Sequence, residues 1–323
     1  MPSFELELGW PKALPNRWAI GQVSGIAVDA RDHLWVVHDT QSLNSTDRRV
    51  VPAPPVIEFD PTGSVVQAWG GPGDGYVWPV QPHGITVDHE DSVWIGGDAD
   101  ESDTHILKFT RAGKFLLSIG EPGKHGGSHD TTNLGNPAQV RVDPQSNEVF
   151  VADGELNKRV IVFDRIGTYK RHWGAYGGKP DDRTLRYNPN TPPSRQFGHR
   201  SVHCLRFGID GLVYVCDRAN NRIQVFQKDG TFVKETFIAR DTTANNGSVW
   251  ALALSADDTF LYVGDATNQK VWILLRAQLE IVGSFGEKGY SGGQVERVHS
   301  IDIDSKGNVY TGPPLRKFLQ KVR

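Results

Sequence analysis

Short runs rich in Val, Ile, Trp and Tyr, each ending near Gly, Asp or Asn, recur along the whole chain, while windows with the period of an amphipathic helix are scarce. The runs come in sets of four. In "PHGITVDHEDSVWIGGD…HILKFTRAGKFLLSIG" a first strand, a tight turn, a second strand ending near aspartate, a third strand, a glycine turn and a fourth strand follow one another. The same grammar returns in "VSGIAVDARDHLWVVHD…PVIEFDPTGSVVQAWG", "PAQVRVDPQSNEVFVADGELNKRVIVFDRIGTYKRHWG", "VHCLRFGIDGLVYVCDRANNRIQVFQKDGTFVKETF" and "VWALALSADDTFLYVGDATNQKVWILL…EIVGSFG". A final unit, "VHSIDIDSKGNVYTGPPLRKFLQKVR", lacks its fourth strand, and the opening "SFELELGWP" is similar enough to "KFLLSIGEP" to supply it.

Four-stranded units of about 40 to 50 residues cannot bury both faces alone, so stacking in a closed ring is the arrangement that satisfies them. The pattern predicts an all-β, six-bladed β-propeller: one domain over 1–323, its ring closed by an N-terminal strand at 3–10 that completes blade six. Long connections fall at "TQSLNSTDRRVVPAPP" inside the first unit, "EPGKHGGSHDTTNLGN" before the third and "GGKPDDRTLRYNPNTPPSRQFGHR" before the fourth. The latter two join an outer strand to the next inner strand, which puts them at one end of the ring as a rim or lid.

Charge narrows the partners. A net charge of −3, a pI near 6.4 and the lack of any long Lys/Arg run argue against a nucleic-acid or anionic-membrane surface and favour a small-molecule substrate. "MPSFELELGW" has no basic segment followed by an apolar core, and no stretch is long enough to span a bilayer, so a soluble cytoplasmic protein is expected. The two cysteines, Cys204 and Cys216, are too few for a disulfide framework; free thiols are the default expectation, although the pair flanks one predicted hairpin and can bond across it.

Aligning the units on Asp29, Asp88, Asp143, Gly208, Ser255 and Asp304 places Ser24, His83, Ala138, His203, Trp250 and His299 five residues earlier. The histidines fall on blades two, four and six. Inner strands line a propeller's axis, so equivalent positions on alternate blades form a triangle around it, and three imidazoles converge. Such a set with an open fourth position is the ligand pattern of a catalytic zinc. The competing reading, that each histidine only fills a polar channel, suits any one of them better than it suits all three in register.

At these residues the chain resembles the NHL-repeat six-bladed propellers, and among them the catalytic domain of peptidyl-α-hydroxyglycine α-amidating lyase. The likeness covers nearly the whole chain and is strongest from about Asn136 to Gly312. The resemblance implies that His83, His203 and His299, in "QPHGITVD", "RSVHCLRFG" and "RVHSIDID", are ligands of Zn2+ or another divalent metal, and that Arg218, in "DRANNR", is the active-site arginine. It also implies a structural Ca2+ in the central channel. Where that family carries an arginine in blade one, this chain reads "HDT", with His38 and Asp39; where it carries the catalytic tyrosine, this chain has Glu155. The expectation is therefore metal chemistry on a substrate other than peptidyl-α-hydroxyglycine.

In that setting Glu155 is the candidate general base and Arg218 the group that steadies an anionic substrate or developing oxyanion, with an ion pair to Asp217 or Glu155 as its structural alternative. His38 and Asp39 join them as catalytic candidates. Trp250 and Trp78 are candidate pocket walls suited to an aromatic or apolar substrate, against the commoner use of tryptophan in blade packing. Asp153, Asp217 and Asp265 recur after the second strand and read as turn caps. His125 and His129 read as solvated, His199 as outside the register, and "GGPGDG" as no phosphate cradle because no helix follows it. Three functions remain open: a zinc-dependent lyase cleaving a carbon–heteroatom bond, a metal-dependent lactonase or esterase, and a non-catalytic NHL interaction module.

Overall fold

Each sequence unit folds as an antiparallel meander, as the alternation of apolar runs and tight turns requires. The computed structural model describes residues 4–43, 49–244, 246–287, 289, 297–312 and 319–322. Blade one comprises Gln22–Val28, Leu34–Asp39, Val56–Phe59 and Val65–Trp69. Blade two is Pro82–Val87, Ser92–Gly97, Ile106–Thr110 and Phe115–Ile119, and blade three Pro137–Val142, Val149–Asp153, Arg159–Phe163 and Tyr169–Trp173. Blade four is Val202–Phe207, Val213–Asp217, Arg222–Phe226 and Phe232–Phe237, and blade five Ala251–Leu254, Phe260–Asp265, Lys270–Leu275 and Glu280–Phe285. In blade six Ser300–Ile303, Val309–Gly312 and Gln320–Val322 are hydrogen-bonded in order, and Leu6 bridges Val322 in antiparallel sense, so the N-terminal segment closes the ring. Residue 3 of the expected closing strand and residues 44–48 of the blade-one connection lie outside the described residues.

The aspartate that marks the register holds the first turn of several blades. Asp88 accepts from the backbone N–H of Glu90 and Ser92 and from the Trp94 indole at 2.8 Å; Asp29 does the same for Arg31, His33 and Trp35. A short carboxylate thus caps its own turn while tying down a tryptophan of the next strand. Those tryptophans are fully buried, and the apolar side chains around them form six clusters among the described residues, one per seam between neighbouring blades. The seam between blades six and one collects Trp10, Ile20, Val23, Tyr310 and Leu319, which explains why the first residues must pack against the last.

The inner strands carry an irregularity that matters for the site. In blades one to four the pairing register shifts near the start of the strand, between Val23 and Gly25, His83 and Ile85, Pro137 and Gln139, and Val202 and Leu205. A regular strand presents residues two apart to one face, whereas a bulge lets residues three apart share it. Gly84 shows what the kink demands: its φ is +65°, and a Cβ there would lie 2.2 Å from the Ala138 carbonyl oxygen.

Cys204 and Cys216 sit opposite one another on the first two strands of blade four, with Cα atoms 5.1 Å apart, and are joined as a disulfide. The expectation of free thiols is thereby corrected: antiparallel pairing beside the bulge brings the two side chains to bonding distance. Among the described residues, no helix is long and apolar enough to cross a membrane.

Candidate metal centre and active-site pocket

The ring brings together three residues that the chain separates by more than two hundred positions. The rings of His83, His203 and His299 lie 4.9–5.0 Å apart pairwise by centroid, and all three side chains are buried. His83 Nδ1 lies 3.0 Å from the Ala138 carbonyl oxygen and His203 Nδ1 2.5 Å from that of Trp250. Donation to those carbonyls leaves each Nε2 as a bare acceptor turned toward the axis, the orientation that second-shell carbonyls impose on metal-binding histidines. His83 Nε2 and His299 Nε2 face each other at 3.2 Å, and buried His203 Nε2 has no hydrogen-bond partner. Burial, reinforced by Arg218 and the neighbouring imidazoles, holds His203 and His299 well below the usual histidine range, so they are neutral at pH 7, the form that ligates metal. The donor set fits a divalent zinc-type ion.

Glu155 stands beside this triangle, its Oε1 3.5 Å from His203 Nε2, and Asp98 completes a second potential ligand group with His83 and Glu155. Arg218 Nη2 bonds Glu155 at 3.0 Å and its guanidinium lies 4.3 Å from the centre of the Trp250 ring. Of the two ion pairs expected for Arg218, the structure shows that with Glu155; Asp217 instead binds Arg222 at 2.6 Å. Asp265 caps its own turn as expected, accepting from Thr267 and Asn268 N–H, whereas Asp153 and Asp217 differ from that expectation: each pairs with an arginine, Asp153 with Arg159, and accepts from a preceding connection, through Gly135 and Gly198 N–H.

Over the histidines opens a cavity of about 250 Å³ lined by Ser24, Asp39, Asp98, Trp250, Arg297 and His299, among others. Trp250 therefore stands at the site. Trp78 does not: it packs with Tyr76 and Phe109 in the seam between blades one and two. Asp39 reaches the cavity mouth while capping the following turn through Gln41 N–H. His38 points away from the axis, fully buried, with Nδ1 accepting from Gly21 N–H and Nε2 bonded to the Pro54 carbonyl. It is a structural residue, and burial lowers its pKa to about 4. A histidine whose folded value lies below its unfolded 6.5 contributes stability that is complete above 6.5 and lost as pH falls toward 4. That loss amounts to about 3 kcal/mol. Urea unfolding across this window is expected to show it, and the His38→Gln variant to flatten it.

Three site residues escaped the sequence reading. Asp98, half-buried beside Glu155, has a carboxyl pushed up to about 6, first by desolvation and then by the Glu155 charge. Its signal was present: it follows a second strand, where Asp153, Asp217 and Asp265 stand in other blades, yet in blade two the preceding connection is held by Asp103, which accepts from Val80, Gln81 and Ala99 N–H. Arg200, the last residue of the long connection before blade four, lies 3.5 Å from both Asp98 and Glu155 and bonds Asp100. That connection thus forms the rim expected of it. Arg297 also lies over the Trp250 ring, 5.4 Å from its centre. His125 and His129 are exposed, as expected, and His199 is exposed as well.

A calcium ion needs six to eight oxygen ligands. Farther down the axis the channel presents Arg141 and Arg206 with one carboxylate, Asp302, so that level does not fit the structural Ca2+ implied by the resemblance.

Residues 200–226, most of blade four with His203, match the NHL repeat family. The chain is 28% identical over 331 residues to peptidyl-glycine alpha-amidating monooxygenase B of Xenopus laevis, covering 95% of this chain and 34% of that protein. It spans 24% of the A form from the same organism. It is 27% identical to NHL repeat-containing protein 3 of Mus musculus, covering 99% of this chain and 84% of that one, and 26% identical to peptidyl-alpha-hydroxyglycine alpha-amidating lyase 1 of Drosophila melanogaster, covering 97% and 59%. Among solved structures, virginiamycin B lyase from Staphylococcus aureus superimposes with a TM-score of 0.58 at 13% identity, covering 99% of both chains. Repeat, ring and relatives agree: the chain is a six-bladed β-propeller, similar in blade four to the NHL repeat and over nearly its whole length to the peptidyl-α-hydroxyglycine α-amidating lyases.

Proposed function

We propose that the protein is a metal-dependent lyase that cleaves a carbon–heteroatom bond in a small substrate other than a peptidyl-α-hydroxyglycine. The observation that carries this reading is the convergence of three buried imidazoles, two of them held neutral, beside a buried Glu155–Arg218 pair and under a cavity that His83 and His299 help to line. His83, His203 and His299 hold the ion, zinc by donor type, which supplies Lewis-acid stabilisation of an oxyanion. Trp250 and Arg297 wall the cavity and take an aromatic or apolar group. Arg218 bonds Glu155 and remains close enough to the floor to steady negative charge developing there. Glu155 or Asp98, the two carboxyl groups nearest the imidazoles, accepts the proton that an elimination releases. The amidating activity of the longer relatives is not carried over, because Glu155 stands where their tyrosine is expected.

Hydrolysis of an ester or lactone is the second reading, favoured by the same carboxylates beside a metal site. Linear and cyclic esters incubated in oxygen-18 water separate the two. Elimination yields an unlabelled acid and an alkene, whereas hydrolysis places label in the acid. No turnover of esters or α-hydroxylated amides by the zinc-loaded protein would leave the interaction module. The Cys204–Cys216 disulfide favours an oxidising compartment over the cytoplasm expected from cysteine number alone.

A further inference from the structure

Three positions after the histidine tier the inner strands carry Ala27, Thr86, Arg141, Arg206, Ala253 and Asp302; the two alanines pack in the seams, and Thr86, Arg141, Arg206 and Asp302 come together between the strands. Two guanidinium groups meet one carboxylate there. Asp302 is already engaged, its two oxygens accepting from Val28 and Ile303 N–H at 3.0 and 3.1 Å, with Arg206 3.9 Å away. Arg206 spans the channel, donating to Gln139 Oε1 at 2.8 Å and to the carbonyls of Leu205 and Ile301 at 3.1 and 3.2 Å. Arg141 is different. Its Nη1 reaches Thr86 Oγ1 at 3.1 Å, but Nε and Nη2 are both closed off from solvent without any partner.

Nε–H and Nη2–H lie on one edge of the planar guanidinium and form the fork that grips an anion with two parallel hydrogen bonds. A half-buried cation whose solvent-inaccessible edge is unmet, next to a second cation, is costly unless a negative charge sits on it. We propose that a small monovalent anion of the halide class binds on the Nε/Nη2 edge of Arg141 inside the central channel, with Arg206 as the second positive charge. Size narrows the class: on the histidine side the channel is bounded by Arg206 and offers only about 20 Å³, room for roughly one water-sized sphere and too little to pass a sulfate or phosphate. Burial and the Arg206 charge also lower the Arg141 guanidinium, to about 9, which leaves it charged at neutral pH. The site is independent of the metal-dependent reading, and it replaces a channel cation by a channel anion.

Crystals of the full chain soaked in sodium bromide test it directly: an anomalous peak on the Arg141 edge is expected. An ordered water that never acquires bromide signal, or a guanidinium edge turned onto a carbonyl, overturns the proposal. In solution, protein exchanged into a gluconate buffer at constant ionic strength is expected to gain a saturable rise in Tm on adding chloride or bromide, with or without chelator. Arg141→Gln is expected to lose that rise and Asp302→Asn to reach saturation at several-fold lower halide. Equal halide responses in the wild type and Arg141→Gln would refute the site even if the crystals fail.

Discussion

Replacing His203 with alanine is expected to weaken zinc binding by at least about a hundredfold, beyond the 10–100-fold that loss of a second-shell partner alone produces. The reason is geometric. With one imidazole gone, His83 and His299 supply two nitrogens, and the nearest remaining donors, Glu155 and Asp98, are engaged by Arg218 and Arg200. Zinc at a thousandfold excess over its Kd stabilises a folded protein by about 4 kcal/mol. The metal-stripped wild type should therefore gain thermal stability on adding zinc, His203→Ala should not, and the exposed His125→Ala should match the wild type. Metal analysis of the purified proteins reads the same difference. Equal zinc content in wild type and His203→Ala would remove the metal centre and, with it, the proposed chemistry.

Arg218→Ala is expected to cost about 3–5 kcal/mol of stability, the range for removing one partner of a buried ion pair. Glu155 is 2% exposed and Arg218 3%, so truncation leaves a carboxylate with Arg200 at 3.5 Å as its nearest counter-charge. The stacking of the guanidinium on Trp250 is lost as well, worth about 0.5–2 kcal/mol. The paired change Arg218→Met with Glu155→Gln should recover much of the loss, because no buried charge is then left alone. Urea unfolding of the wild type, Arg218→Ala and the double variant measures this. A single variant within about 0.5 kcal/mol of wild type, the range of ordinary surface substitutions, would mean that the pair is solvated and that Arg218 is free to engage substrate directly.

The histidine tier and the tryptophan beside it were legible because a repeat converts position in the chain into position around an axis. His83, His203, Trp250 and His299 share one register, so their meeting follows once the ring is inferred. The residues that surround them do not share it. Asp98 and Arg200 reach the site from connections whose lengths vary around the ring, and no period predicts where such a segment turns. Trp78 and His38 show the opposite failure. Both stand near matched motifs, yet one fills a seam with Tyr76 and Phe109, and the other spends both ring nitrogens on backbone groups.

Periodic burial is local information, carried by each strand's own apolar and polar residues, and from it the chain alone determined the blade count, the closure by its first residues and the three converging imidazoles. Bulges, rim contacts and the pairing of charges depend on groups that are near only after the ring has closed. Tertiary structure alone therefore decided that Glu155 is tied to Arg218, that Cys204 bonds Cys216 and that the lower channel holds two guanidinium groups against one carboxylate.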